Sequence, residues 1–145
     1  METINVKTQI CIQLLEEKGY NPQKVGDDMI EFKTDDGYYV IFNDLKDELY
    51  FRLSYPTFFE IKTDKDRALV QKVCDFVNRG TKVAKIYTVE NNVWGNIEIF
   101  LPTPDSIKLI FFRCLSALQY AVNAFKAEIT KREPSIVENQ QCRLN

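Results

Sequence analysis

The chain has 145 residues and a mass of 17.0 kDa, the size of one domain, and its 45% hydrophobic and 28% charged residues exclude disorder, collagen and a coiled-coil rod. With 19 Lys and Arg against 21 Asp and Glu, the net charge is −2 and the pI is near 5.3, so non-specific binding to nucleic acid or anionic lipid lacks its electrostatic driver. There is no histidine, which removes Ser-His-Asp and Cys-His catalysis and every His-ligated metal site.

From Thr3 to about Lys18, helical spacing brings Ile4, Cys11, Leu14, Leu15 and Lys18 to one side, and Gly19 and Pro22 supply the stop. From Met29 the period changes to two, with Ile30 and Phe32 alternating with charges. Asp35-Asp36-Gly37 reads as a turn in which Gly supplies a positive φ. Tyr38 to Phe42 is a second strand, apolar on both faces and therefore expected at a central position. After a turn at Asn43 to Asp47, Leu49, Phe51 and Leu53 alternate with Tyr50, Arg52 and Ser54 in a third strand, which Pro56 ends or marks as an edge.

Thr63 with Asp66 approximates a capping box and opens a second helix whose expected buried stripe is Leu69, Val73, Phe76 and Val77, closed by Arg79 and Gly80. Val83 to Val89 and Val93 to Leu101 are the fourth and fifth strands, joined by a hairpin loop at Glu90-Asn91-Asn92. Gly95 lies on the face shared by Val93, Ile97, Ile99 and Leu101, and marks a bulge or a close backbone approach. Thr103-Pro104-Asp105 starts a last helix running to about Arg132, and residues 133–145 read as a polar tail after a single domain over 1–132. The order α-β-β-β-α-β-β-α, with short loops within each strand run, gives an α+β domain: an antiparallel sheet of about five strands with helices packed on it.

Met1 to Asn5 has neither a basic start nor an apolar run, so no signal peptide is expected. The apolar stretch from Ile107 is interrupted by Lys108, Arg113, Gln119 and Asn123 and falls short of the roughly 20 residues of a membrane helix. Cys11, Cys74, Cys114 and Cys142 form no CxxC pair, and the first three sit at apolar helical positions, which points to reduced thiols and a cytoplasmic address.

Two features exceed what one core requires. The last helix carries Ile107, Phe111, Cys114, Leu118, Ala121, Phe125 and Ile129 as a core stripe, yet Leu109, Phe112 and Tyr120 lie on its other sides. Covering helices or a second copy of the chain would each account for them. The strands carry aromatics on both faces, among them Tyr39, Tyr50, Trp94 and Phe100. Such residues suit protein or peptide contact, and equally suit cross-strand packing of a wet sheet face. Leu109, Phe112, Tyr120, Tyr39, Tyr50, Trp94 and Phe100 are the candidate partner or dimer surface.

Chemistry finds little footing. Asp27-Asp28, Asp35-Asp36 and Asp44 with Asp47-Glu48 are paired acids that would serve a small hydrolase or metal-dependent enzyme, but each sits at an expected turn, where Asp is ordinary. No phosphate-cradling glycine loop and no nucleophile elbow occurs. Cys114 has the core-facing phase of a packing residue, with Arg113 the only adjacent charge. Lys72, Arg79, Lys82 and Lys85 near Tyr87 read as a solvated helix end rather than a single-strand platform. No catalytic residue, cofactor, metal, nucleic-acid or membrane partner is expected.

The stretch Phe76-Val77-Asn78-Arg79-Gly80-Thr81-Lys82-Val83-Ala84-Lys85-Ile86-Tyr87 resembles the YbjN-like family of the type III secretion chaperone-like fold. There too the second helix ends near an Asn and runs into a strand with a Lys-apolar-Tyr pattern. The long final helix from Pro104 fits as well, and the resemblance spans roughly residues 4–132. It implies a non-catalytic protein- or peptide-binding module, chaperone-like or of the sensory-transduction regulator type, acting as a homodimer. It carries no catalytic motif.

Overall fold

A computed structural model describes residues 5–138 and Gln140. Helix α1 (Val6–Glu17) is capped by the Asn5 side chain, which accepts from the Thr8 N–H. It ends at Gly19, whose φ of 82° lies in the left-handed region that glycine enters freely. Strands β1 (Gln23–Val25), β2 (Met29–Thr34), β3 (Gly37–Phe42) and β4 (Tyr50–Glu60) follow, then α2 (Asp64–Gly80), β5 (Lys85–Val89) and β6 (Asn92–Phe100). A 3₁₀ turn at Pro104–Ser106 leads into α3 (Ile107–Arg132), and a short α4 (Pro134–Glu138) comes last.

All six strands join one antiparallel sheet in the order β1-β2-β3-β4-β6-β5. The α+β class and the order of elements are as expected; the sixth strand is β1. Its three residues are all exposed and carry no alternation of apolar and polar residues, so periodicity gave no sign of it. β3 is internal, as its two apolar faces required.

One sheet face is dry. Ile30 and Phe32 of β2 lie opposite Ile41 and Tyr39 of β3, and Phe51 and Leu53 of β4 continue the layer toward Ile97 of β6. α3 lies on this layer: Phe111 meets Phe32 and Phe51, and Phe125 meets Phe58 and Phe59. α1 and α2 flank α3. The expected α3 stripe is buried throughout, joined by Leu115 and Val122. Gly95 is the close approach: a Cβ there would stand 2.9 Å from Leu118 Cδ1 and 3.1 Å from Val122 Cγ2.

Several local expectations need correction. In α2 the buried stripe is Val70, Val73, Cys74 and Val77. Phe76 is instead 43% exposed and lies between the guanidinium groups of Arg79 and Arg132, because the i, i+3, i+4, i+7 set already fills the inner face. In α1 the buried set is Lys7, Thr8, Cys11 and Leu15; Ile4 lies outside the described residues. Lys7 is buried because its ammonium donates to the carbonyls of Asp47 and Tyr50, pinning α1 to the start of β4. After Arg132 the chain turns into α4, with Ile136 buried in the core, so packing continues into the stretch read as a polar tail. Cys11, Cys74 and Cys114 are free and buried, while Cys142 lies outside the described residues. Among those residues no helix is long and apolar enough to cross a membrane.

Candidate binding groove and sheet face

The groove begins with Pro56. β4 pairs with β6 on one side along most of its length, but with β3 only from Phe42–Arg52 to Val40–Ser54. Beyond Ser54 the ladder with β3 stops. Pro56 brings no N–H to a ladder, Thr57 takes a positive φ of 47°, and the register with β6 shifts between Tyr55 and Phe59. β4 therefore does not end at Pro56; it bulges there and leaves β3, so the edge reading of Pro56 holds for that side alone.

The hairpin of β2 and β3 continues to its two-residue turn at Asp35-Asp36 and parts from β4. Tyr55 spans the gap: its hydroxyl donates to the Asp36 carbonyl at 2.9 Å, and its ring meets Tyr39 edge-on at 4.8 Å. Gly37 has no positive φ. Space favours it, because a Cβ there would stand only 2.2 Å from the Tyr55 hydroxyl oxygen and 2.3 Å from Cζ, so Tyr55 would have to move. The Asp36 carboxylate accepts from Gln119 of α3 at 3.1 Å, from the Tyr39 hydroxyl and from Thr34. The rim is thus tied to the helix layer before any ligand arrives.

Behind this rim lies an open cavity of about 1060 Å³, just above the usual range of small-ligand sites. Its walls are Tyr38, Pro56, Phe58, Ile129 and Val137, with Lys33 and Lys126 at the margin. The Lys126 ammonium stands 5.6 Å from the Tyr55 ring centre; burial holds its pKa below the usual lysine value, and the Asp36 charge opposes that in part. Burial, then the Asp36 charge, raises the Tyr55 phenol. At the far end of β4, the Gln140 carboxamide accepts from the Glu60 N–H at 2.9 Å and donates to the Glu60 carbonyl at 2.7 Å.

The wet sheet face presents a second surface. Tyr50 packs on Phe100 at 6.2 Å, Tyr87 lies opposite Trp94, and Arg52 stacks on Phe42 at 4.4 Å. Between these aromatics runs a polar network. Arg52 Nε and the Ser54 hydroxyl donate to Asn96 Oδ1, Asn96 Nδ2 donates to Glu98, and Lys85 pairs with Glu98 at 3.0 Å. Burial alone would raise the Glu98 carboxyl, but the Lys85 bond and charge, with Asn96 and Arg52, outweigh it and hold the group below its ordinary value.

The seven candidate surface residues fall in different places. Phe100 is 79% exposed, and Tyr50 and Trp94 are half-buried on the wet face. Leu109 and Tyr120 are 82% and 66% exposed on α3, with Arg113 and Ser116 exposed between them. Phe112 is half-buried, against Phe111 and under the Lys18 ammonium at 5.1 Å. Tyr39 is wholly buried and is no surface residue: the alternation of β3 points it to the dry face with Ile41, where it stacks on Phe32. The paired acids stay at separate turns, and among the described residues no three acidic or thiol groups are placed to hold a metal.

Sequence reasoning missed the groove itself. The usable signal was Pro56 inside an otherwise regular alternation. It also missed Asn78, whose carboxamide accepts from the Ile86 N–H at 2.7 Å and donates to the Ile86 carbonyl at 2.9 Å. Compared with family models, curated proteins and solved structures, the chain matches none.

Proposed function

We propose that this chain is a non-catalytic protein- or peptide-binding module, chaperone-like or regulatory, and that it holds an extended segment of its partner in the groove between β3 and β4. The observation that carries this reading is the parting of β4 from β3 beyond Ser54, which among the described residues leaves Tyr55 to Phe59 with no strand paired on that side, beside an apolar-walled cavity. An extended peptide gains affinity from such an edge and specificity from alternate side chains entering the cavity. Tyr55, Gly37 and Asp36 fix the opening in advance, which lowers the ordering cost of binding. The element order, with β1 added, and the Phe76-to-Tyr87 stretch are compatible with the YbjN-like resemblance, which supports binding over catalysis.

Selection of peptides from a random heptapeptide library on the immobilised chain tests this. Peptides with alternating apolar residues should be enriched, should not bind the groove-filling variant Thr130→Trp, and should weaken at least about tenfold when alternate amides are N-methylated. Equal binding to Thr130→Trp, or indifference to N-methylation, would overturn the reading. Helical periodicity puts Leu109 and Tyr120 on a different side of α3 from Lys126, Ile129 and Thr130. A homodimer through Leu109 and Tyr120 would therefore leave the groove open. Leu109→Asp with Tyr120→Glu should then halve the mass by light scattering and leave peptide binding intact.

A further inference from the structure

The strand edge in the groove is already taken at one rung by the chain itself. At the hydrogen-bonded pairs of an antiparallel ladder, which alternate with unbonded ones, a residue exchanges both backbone bonds with the residue opposite it. The Gln140 carboxamide makes the same two-way exchange with Glu60, one bond accepted and one donated. A partner strand reaching Glu60 and the Gln140 side chain cannot both occupy that position.

The element bearing Gln140 is short. Glu133 leaves the helical region with φ −148°, Pro134 follows, and α4 has only five residues. Among the described residues, Ile136 anchors it in the core and Val137 forms part of the cavity wall. Asn78 makes the same two-way exchange with Ile86, but from within the 17-residue α2. The β5 edge is therefore met at Ile86 by a side chain from a long helix, and the β4 edge at Glu60 by one that follows a short helix.

We infer that α4 and Gln140 form an intramolecular competitor for the groove, displaced when a partner strand extends as far as Glu60. This regulates the site proposed above and rests on that reading. Affinity for such a strand is reduced by the fraction of molecules in which Gln140 holds the rung. Removing two ordinary hydrogen bonds from the closed state should raise affinity by about fivefold up to about 150-fold.

The test uses the full chain and the heptapeptides selected on it, titrated against wild type, Gln140→Ala and Gln140→Glu, with hydrogen exchange at the Ile136 amide followed in parallel. Gln140→Ala should tighten binding several-fold. Gln140→Glu, which cannot donate to the Glu60 carbonyl, should also tighten it. Peptide binding to wild type should accelerate exchange at Ile136. Peptides that Thr130→Trp abolishes, but whose affinity Gln140→Ala leaves unchanged or weakens, would refute the competitor while sparing the groove. A selection yielding no peptide would refute both.

Discussion

Replacing Asn78 by Ala should destabilise the fold by about 0.5–2.5 kcal/mol. The side chain makes two hydrogen bonds to the backbone of Ile86, at 2.7 and 2.9 Å. Each is worth about 0.5–1.5 kcal/mol net, and the better helix propensity of Ala returns about 0.5 kcal/mol. For a chain of this size the loss corresponds to a fall in Tm of about 2–8 °C. Urea unfolding followed by Trp94 fluorescence is a suitable assay, since Trp94 is the sole tryptophan and lies opposite Tyr87 of β5. Exchange of the Ile86 amide should accelerate at the same time. Freed of Asn78, β5 presents an unpaired edge, and the variant should self-associate more readily than wild type. An unchanged urea midpoint with an unchanged Ile86 exchange rate would refute the idea that Asn78 closes this edge.

Gly95→Ala should cost about 1–3 kcal/mol in urea unfolding, because its Cβ meets Leu118, Val122 and Ile86 between 2.9 and 3.2 Å; a neutral result would mean that α3 does not sit on β6 as described. Glu98 has a depressed folded pKa, so its contribution is present above the unfolded value and is lost as pH falls through the folded one. Stability should thus decline on acidification below the ordinary carboxylate value of 4.5, and Lys85→Met should flatten that decline in a Tm series; parallel slopes for the two proteins would contradict this. Burial pushes the Cys11 and Cys74 thiols up to about 12 and raises Cys114. In a Cys142→Ser chain, these three should resist a thiol reagent at about pH 8 until guanidinium is added; labelling of the folded protein at the rate of a free thiol would contradict the burial.

The parts of this fold that were legible in the sequence are those governed by local periodicity. The α3 stripe from Ile107 to Ile129, Ile30 and Phe32 in β2, and Phe51 and Leu53 in β4 each lie where one repeat length places them, whereas Leu49, expected in the same row, is exposed before β4 begins and Ser54 is buried. Tyr39 shows the limit. Its neighbours in β3 are apolar on both faces, so alternation said that one of Tyr38 and Tyr39 faces the helices without saying which. The groove was out of reach for a different reason. It arises where Pro56 and Thr57 turn β4 away from a hairpin tip some 20 residues earlier, and only the pairing register shows that separation. Gln140 and Asn78 act through their carboxamides on backbone groups 80 and 8 residues away, and no pattern of residue types announces such contacts. Gly37 followed the turn pattern, but for a different cause: the space that Tyr55 needs, not a positive φ.

Amide shift mapping of the isotope-labelled chain with one selected heptapeptide tests the groove most directly. The account predicts shifts concentrated in Tyr55–Glu60, along the hairpin tip from Thr34 to Tyr38 and around Lys126 to Thr130. Shifts confined to Tyr50, Trp94 and Phe100 on the wet sheet face, or to Leu109 and Tyr120 on α3, would place the partner elsewhere and contradict it.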